Sequence, residues 1–225
     1  MMQSSSPLFG GAALIAGGTA LASAEFLITV VSRPVAGGSI TAWVKAAAMA
    51  LAVADELLFV ALVCLVLGGL VLWQAVRAQR PISALVMVTS LLLAMAVVIV
   101  LVLVVGRLVY PVYDIAIGES GNALLVSLMF GGLHAVSLLL GIAVLAATAA
   151  LRGSGAPWWL VVVGTVAAIA QWVGAFPWLT PDWVNGAVPV LLGTWMLAAG
   201  VWLIAHPHLL MPLSPSPRKP LPAQR

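Results

Sequence analysis

The chain has 225 residues, of which 64% are hydrophobic and 7% charged, and its mean hydropathy is +1.21. A water-soluble domain of this length needs more charge on its surface, so the composition excludes one and points to a chain whose solvent is lipid. The net charge of +3 is dispersed and forms no basic patch of the kind nucleic acids require, and the single Cys64 excludes an intrachain disulfide or a cysteine-based metal cluster.

Taken in order, the apolar runs predict an all-α integral membrane bundle of six transmembrane helices. Each run is at or above the ~20 residues that cross a bilayer. The first covers about 8–31. It contains Ala22-Ser23-Ala24, which has the form of a signal-peptidase site. No Lys or Arg precedes it, however, and apolar sequence continues to Val31, so a retained first helix is expected. Pro34, Gly37 and Gly38 break the run. The second covers about 43–76 and is longer than a bilayer requires, so it should tilt or project. After Arg77, Arg80 and Pro81 the third covers about 82–109. A polar connector with Asp114, Glu119 and Asn122 leads to the fourth, about 123–151. The fifth covers about 157–176, a Trp- and Pro-rich loop follows, and the sixth covers about 187–205. Residues 1–206 therefore form the transmembrane domain. The stretch 207–225 reads as a disordered, Pro-rich basic tail on the cytoplasmic side.

The distribution of Lys and Arg sets an expected orientation. Arg77, Arg80, Arg152, Arg218, Lys219 and Arg225 fall on the side of the N-terminus, and Arg33, Lys45 and Arg107 on the other. Both termini are thus expected in the cytoplasm. Trp73, Trp158 and Trp159 fall at the inner boundary, and Trp43, Trp178 and Trp183 at the outer one.

On this topology the polar side chains share a layer. Glu25, Asp55, Glu56, Arg107, His134 and Gln171 all lie in the outer or middle part of their spans, while the inner half has almost no ionisable group. A charge at membrane depth costs at least ~2.5 kcal/mol, so these six are the candidate lining of a polar pocket open to the outer face. Helical spacing supports this. Gly18, Ala22, Glu25, Thr29 and Ser32 make one small and polar stripe. Ser127, Gly131, His134, Leu138 and Gly141 make another, and Gly164, Ala168, Gln171 and Ala175 a third. Asp55 and Glu56 are adjacent, about 100° apart around the helix, so at most one faces the axis. A structural ion pair of Glu25, Asp55 or Glu56 with Arg107 is the plainest alternative. Several carboxylates near one Arg also leave room for a site that responds to protons or cations. Glu25, Asp55 and His134 together have the donor types of a divalent-metal site, but no HxxxH or HExxH pattern accompanies them, and no metal or cofactor is expected.

Three local patterns carry a resemblance. Ser23-Ala24-Glu25-Phe26-Leu27 with Arg33, Ala52-Val53-Ala54-Asp55, and Leu133-His134 with Leu138-Leu139-Leu140-Gly141 resemble the acidic first-helix, aspartate second-helix and histidine fourth-helix motifs of a bacterial six-helix membrane family catalogued as a domain of unknown function. Ala135-Val136 departs from it where a polar or aromatic pair is expected. The resemblance implies the six-helix topology over most of the chain, and no reaction.

The sequence thus leads to a multi-pass protein of a bacterial plasma membrane whose polar pocket binds a small molecule or ion, in sensing or transport. The alternatives are a membrane-embedded hydrolase or metalloenzyme using Glu25, Asp55 and His134, and a structural or accessory subunit. The expected partners are the lipid bilayer and an unidentified small molecule or ion. Nucleic acid is not among them, and protein partners are left open.

Overall fold

The computed structural model describes residues 6–32, 37–110, 112–113 and 115–207. Among them the chain forms helices and no strand. The helices are α1 (Ser6–Phe26), continued by a π-helical turn (Leu27–Val31), α2 (Ile40–Val76), α3 (Pro81–Val109), α4 (Glu119–Gly153), α5 (Trp158–Gly174) and α6 (Asp182–Ala205). Arg33, Asp114, His208 and the tail 208–225 lie outside the described residues. In lipid a segment must satisfy its own backbone, and uninterrupted runs of Leu, Val and Ala do so as helices. Local chemistry marks the ends. Ser39 caps α2 by accepting from the Ala42 N–H at 3.2 Å, and Pro81 opens α3, where its missing N–H costs nothing.

Five helices are long and apolar enough to cross a membrane: α1 with its π turn, α2, α3, α4 and α6. The fifth segment differs from the expectation of a 20-residue span. α5 has 17 residues and ends at Gly174, while α6 begins five residues earlier than the sequence indicates, at Asp182 rather than 187. Two prolines explain both shifts. Pro177 disfavours helical backbone in the residue before it, and Pro181 stands as the extended residue from which α6 starts.

Each helix packs on its chain neighbours, and α1 also packs on α6, so the helices close into a ring, with α2 reaching α4 across it. α1 is held from both sides through small residues. Gly17 lies against Leu65 of α2, and Gly68 of α2 against Leu14. Gly11 and Gly200 bring the backbones of α1 and α6 together, for a Cβ on either would sit 2.5 or 2.6 Å from the other's carbonyl oxygen. The middle of the ring is filled by Leu14, Leu65, Met87, Leu140, Trp195 and their neighbours around an apolar gap of about 30 Å³. Outward faces carry large apolar side chains, as Leu85, Leu93, Ile99 and Leu103 do on α3, a surface suited to lipid.

Two of the three small and polar stripes are turned inward. Gly18, Glu25 and Ser32 of α1 and Gly164, Ala168, Gln171 and Ala175 of the fifth segment are buried. The α4 stripe is turned inward only at its Gly141 end. Ser127 and Gly131 are exposed and His134 is half-buried, while Val126, Met129, Leu133, Val136 and Leu140 form the buried face. Ser127 donates to the Ala123 carbonyl of its own helix at 2.9 Å and so needs no partner in the ring.

Candidate functional site

The loop end of α1 brings Glu25 inside. Beyond Phe26 the helix widens, and Ser32 N–H reaches the Leu27 carbonyl, five residues back, at 2.9 Å. Such π turns often occur at functional sites. Thr29 donates its hydroxyl to the Glu25 carbonyl at 2.7 Å. The Glu25 side chain is 5% exposed, and its Oε1 has no hydrogen-bond partner. From α5, the carboxamide of Gln171 faces it. Gln171 is fully buried, and its carboxamide meets the Glu25 carboxyl without a hydrogen bond of full geometry. A buried polar atom without a partner costs ~1–3 kcal/mol, so this pair is held at a cost unless something else completes its bonding.

Beside Glu25 is a cavity of about 20 Å³, lined by Thr29 on the π turn, Ser137 on α4, Pro177 in the α5–α6 loop, and Asn185 and Pro189 on α6. That is room for about one water molecule. Asn185 is 3% exposed and its side chain is already engaged. Its amide donates to the Pro177 carbonyl at 3.1 Å, and it accepts from Thr180 Oγ1 at 2.5 Å. Pro189, buried four residues along α6, has no N–H to offer the Asn185 backbone carbonyl.

The other sequence candidates lie elsewhere. Asp55 is buried, but its Oδ2 sits against Gly106 of α3, close enough that a Cβ there would be 3.2 Å away, and its Oδ1 is unpartnered. Glu56 is exposed on the neighbouring face and accepts from the Tyr110 hydroxyl at 3.0 Å. That bond, with the negative charge behind it, raises the Tyr110 pKa above its usual value. Arg107 donates to the Ile115 carbonyl at 3.0 Å. It lines a second, larger cavity of about 360 Å³ with Thr41, Lys45, Tyr110 and Asn122. Among the described residues no ion pair joins Arg107 to Glu25, Asp55 or Glu56. His134 places Nδ1 2.7 Å from the Ala175 carbonyl. A carbonyl only accepts, so that nitrogen carries the proton. The ring packs between Phe176 and Trp178, with centroids 4.8 and 6.0 Å away.

Among the cavities formed by described residues, none has all six candidates in its lining. The structure brings Glu25 and Gln171 together. It sets Asp55 between α2 and α3, Glu56 and Arg107 at the loop-end surface, and His134 on the outside of the α4–α5 contact. The cavity beside Glu25 is lined by none of Asp55, Glu56, Arg107 and His134. Among the described residues no group of three His, Cys, Asp or Glu side chains is placed to hold a metal ion, so the donor set Glu25, Asp55 and His134 is not assembled. Each is turned to a different neighbour by its own helix face.

Sequence reading missed Asn185, assigned to a loop, together with Ser137 and Pro189. The signal for Asn185 was its spacing to Pro189. A proline four residues on in an apolar run releases the carbonyl of the earlier residue, wherever the helix begins. Glu119 was also missed. Read as part of a connector, it accepts from Ser39 Oγ (3.0 Å), Ile40 N–H (2.6 Å) and Thr41 N–H (3.1 Å), and so caps α2 from the start of α4. Compared with protein-family models, curated proteins and solved structures, the chain matches none.

Proposed function

We propose that this is a six-span protein of a bacterial plasma membrane, with both termini cytoplasmic, that binds a small ion at Glu25 from the outer side as part of sensing or transport. The motif resemblance to the six-helix family belongs to the same reading. For the sixth crossing, exposed tryptophans bracket α5: Trp158 and Trp159 at its start, Trp178 and Trp183 just beyond its end. An apolar segment that runs on through Phe176 between two such belts fits a bilayer despite the early end of the helix.

The observation that carries the ion reading is the buried Glu25 carboxyl, with no fully formed hydrogen bond at Oε1 and the buried Gln171 carboxamide beside it, at the edge of a cavity the size of one water. A cavity of that size excludes drug-sized molecules, whose sites run to ~300 Å³ and above. Glu25 is the one charged residue in its lining. Of the other titratable groups on the surrounding helices, Asp55 of α2 is turned toward Gly106 and His134 of α4 toward Ala175, and Asp182 stands in the first turn of α6. The apolar packing around Leu14, Met87 and Trp195 separates the site from the opposite end of the bundle, which favours access from one side.

Thermal unfolding of the purified protein in detergent, scanned across pH and across added salt, tests the reading. Wild type should show a stability that depends on pH or on cation concentration, and Glu25→Gln should lose that dependence while keeping a folded, monodisperse protein. An unchanged dependence in Glu25→Gln would sink it.

A further inference from the structure

The donors around the cavity are all of one chemical kind. The polar residues of the lining are Glu25, Thr29, Ser137 and Asn185, which carry a carboxyl, two hydroxyls and a carboxamide besides their main-chain carbonyls, with the Gln171 carboxamide beside Glu25. No sulfur or imidazole belongs to it. Hard cations prefer oxygen donors. The Asn185 side chain is held by Thr180 and Pro177, which leaves its main-chain carbonyl as the oxygen Asn185 has to offer the cavity. Pro189 deprives that carbonyl of its helical donor, and a buried carbonyl requires some other partner. Thr29 spends its proton on the Glu25 carbonyl, so its oxygen can turn only lone pairs to the cavity. Carbonyls released from helical hydrogen bonding serve cations in this way in membrane bundles.

We infer that the ion bound at Glu25 is a dehydrated alkali cation of sodium size, held by Glu25, Thr29, Ser137, Gln171 and the Asn185 carbonyl freed by Pro189. This rests on the reading of Glu25 as an ion-binding carboxyl. Charge balance selects the monovalent ion. One carboxylate neutralises one positive charge, whereas a divalent cation would leave a net charge buried in apolar surroundings. Size selects the bare ion, since about 20 Å³ holds one small particle and no hydration shell.

The test is a titration of full-length protein in detergent with NaCl, LiCl, KCl and CaCl₂. Choline chloride holds ionic strength constant, and melting temperature and intrinsic tryptophan fluorescence are read at two pH values. Sodium should stabilise saturably and more strongly than potassium or calcium. Pro189→Ala returns a donor to Asn185 and should weaken the apparent sodium affinity about tenfold while the pH response persists. Thr29→Val, which leaves α6 untouched, should weaken it in the same direction and guards against a Pro189 variant that folds poorly. Glu25→Gln should abolish the sodium response. If stability depends on pH through Glu25 but on none of the four cations, the site takes protons only. The sodium inference then falls while the ion reading stands. Preferential stabilisation by calcium, or sodium affinity unchanged in both Pro189→Ala and Thr29→Val, also overturns the inference. If neither pH nor cation acts through Glu25, both readings fail.

Discussion

Gln171 is the residue on which a structural and a functional role separate most cleanly. A carboxamide kept for helix packing should be hydrogen-bonded, because hydrocarbon offers no substitute partner. Here both polar atoms are buried without a fully formed hydrogen bond, facing the Glu25 carboxyl. Replacing Gln171 with Leu should therefore raise the stability of cation-free protein by about 1 kcal/mol, since unsatisfied atoms leave and volume stays. Thermal melts in choline chloride check this, and a loss of stability would show that the Gln171 contact with Glu25 is a net-stabilising hydrogen bond. At the surface, Tyr110 gives a pH prediction. Its folded pKa is raised by the bond to Glu56, so the folded state holds the phenol proton more tightly than the unfolded state does. That stabilisation is present below the ordinary tyrosine pKa and is lost as pH rises through the raised value. Ultraviolet titration should place the Tyr110 phenol above the ordinary range, and Glu56→Gln should lower it toward that range.

At the scale of elements, the approach of α1 to α6 decides whether the ring closes. Gly11 and Gly200 meet backbone to backbone, with no flexible side chain between them to yield. Gly11→Val should cost at least ~1–3 kcal/mol, the usual range for overpacking, and reduce the yield of monodisperse protein in size-exclusion chromatography. Glycine pairs of this kind read only as small residues in the sequence, because a helix partner is a matter of which faces meet. The α4 stripe illustrates the converse. Ser127, Gly131 and His134 are spaced as an inward face, yet the larger residues Met129, Leu133 and Val136 took that position. In lipid, both apolar and small faces can be lipid-exposed, so spacing alone leaves the rotation of a helix undetermined. The ends of α5 and α6 were misplaced for a local reason, the Pro177 and Pro181 pair, which residue-level proline rules explain once both helices are seen.

At the scale of the whole molecule, the number of crossings is the quantity to measure. Six crossings put both ends of the chain on one face, and five put them on opposite faces. Tags placed at residue 1 and residue 225 should both be protected from, or both accessible to, a membrane-impermeant reagent applied to intact cells, with cytoplasmic protection expected. Opposite accessibility would mean that α5 does not cross.

The sequence by itself determined the solvent of this protein, the all-helical class and the order of its apolar segments, because burial in lipid requires long uncharged runs that satisfy their own backbone. It also marked Glu25 and Gln171, since ionisable and amide side chains stand out against such runs. Only the tertiary structure decided which polar residues share a site. Asp55 looked equivalent to Glu25, yet helix rotation turns it to Gly106 while Glu25 meets Gln171 and the widened turn at Thr29. A polar residue's depth is set along the chain, but its partners are set around the helix axis, and that angle comes from how the helices of the ring pack on one another.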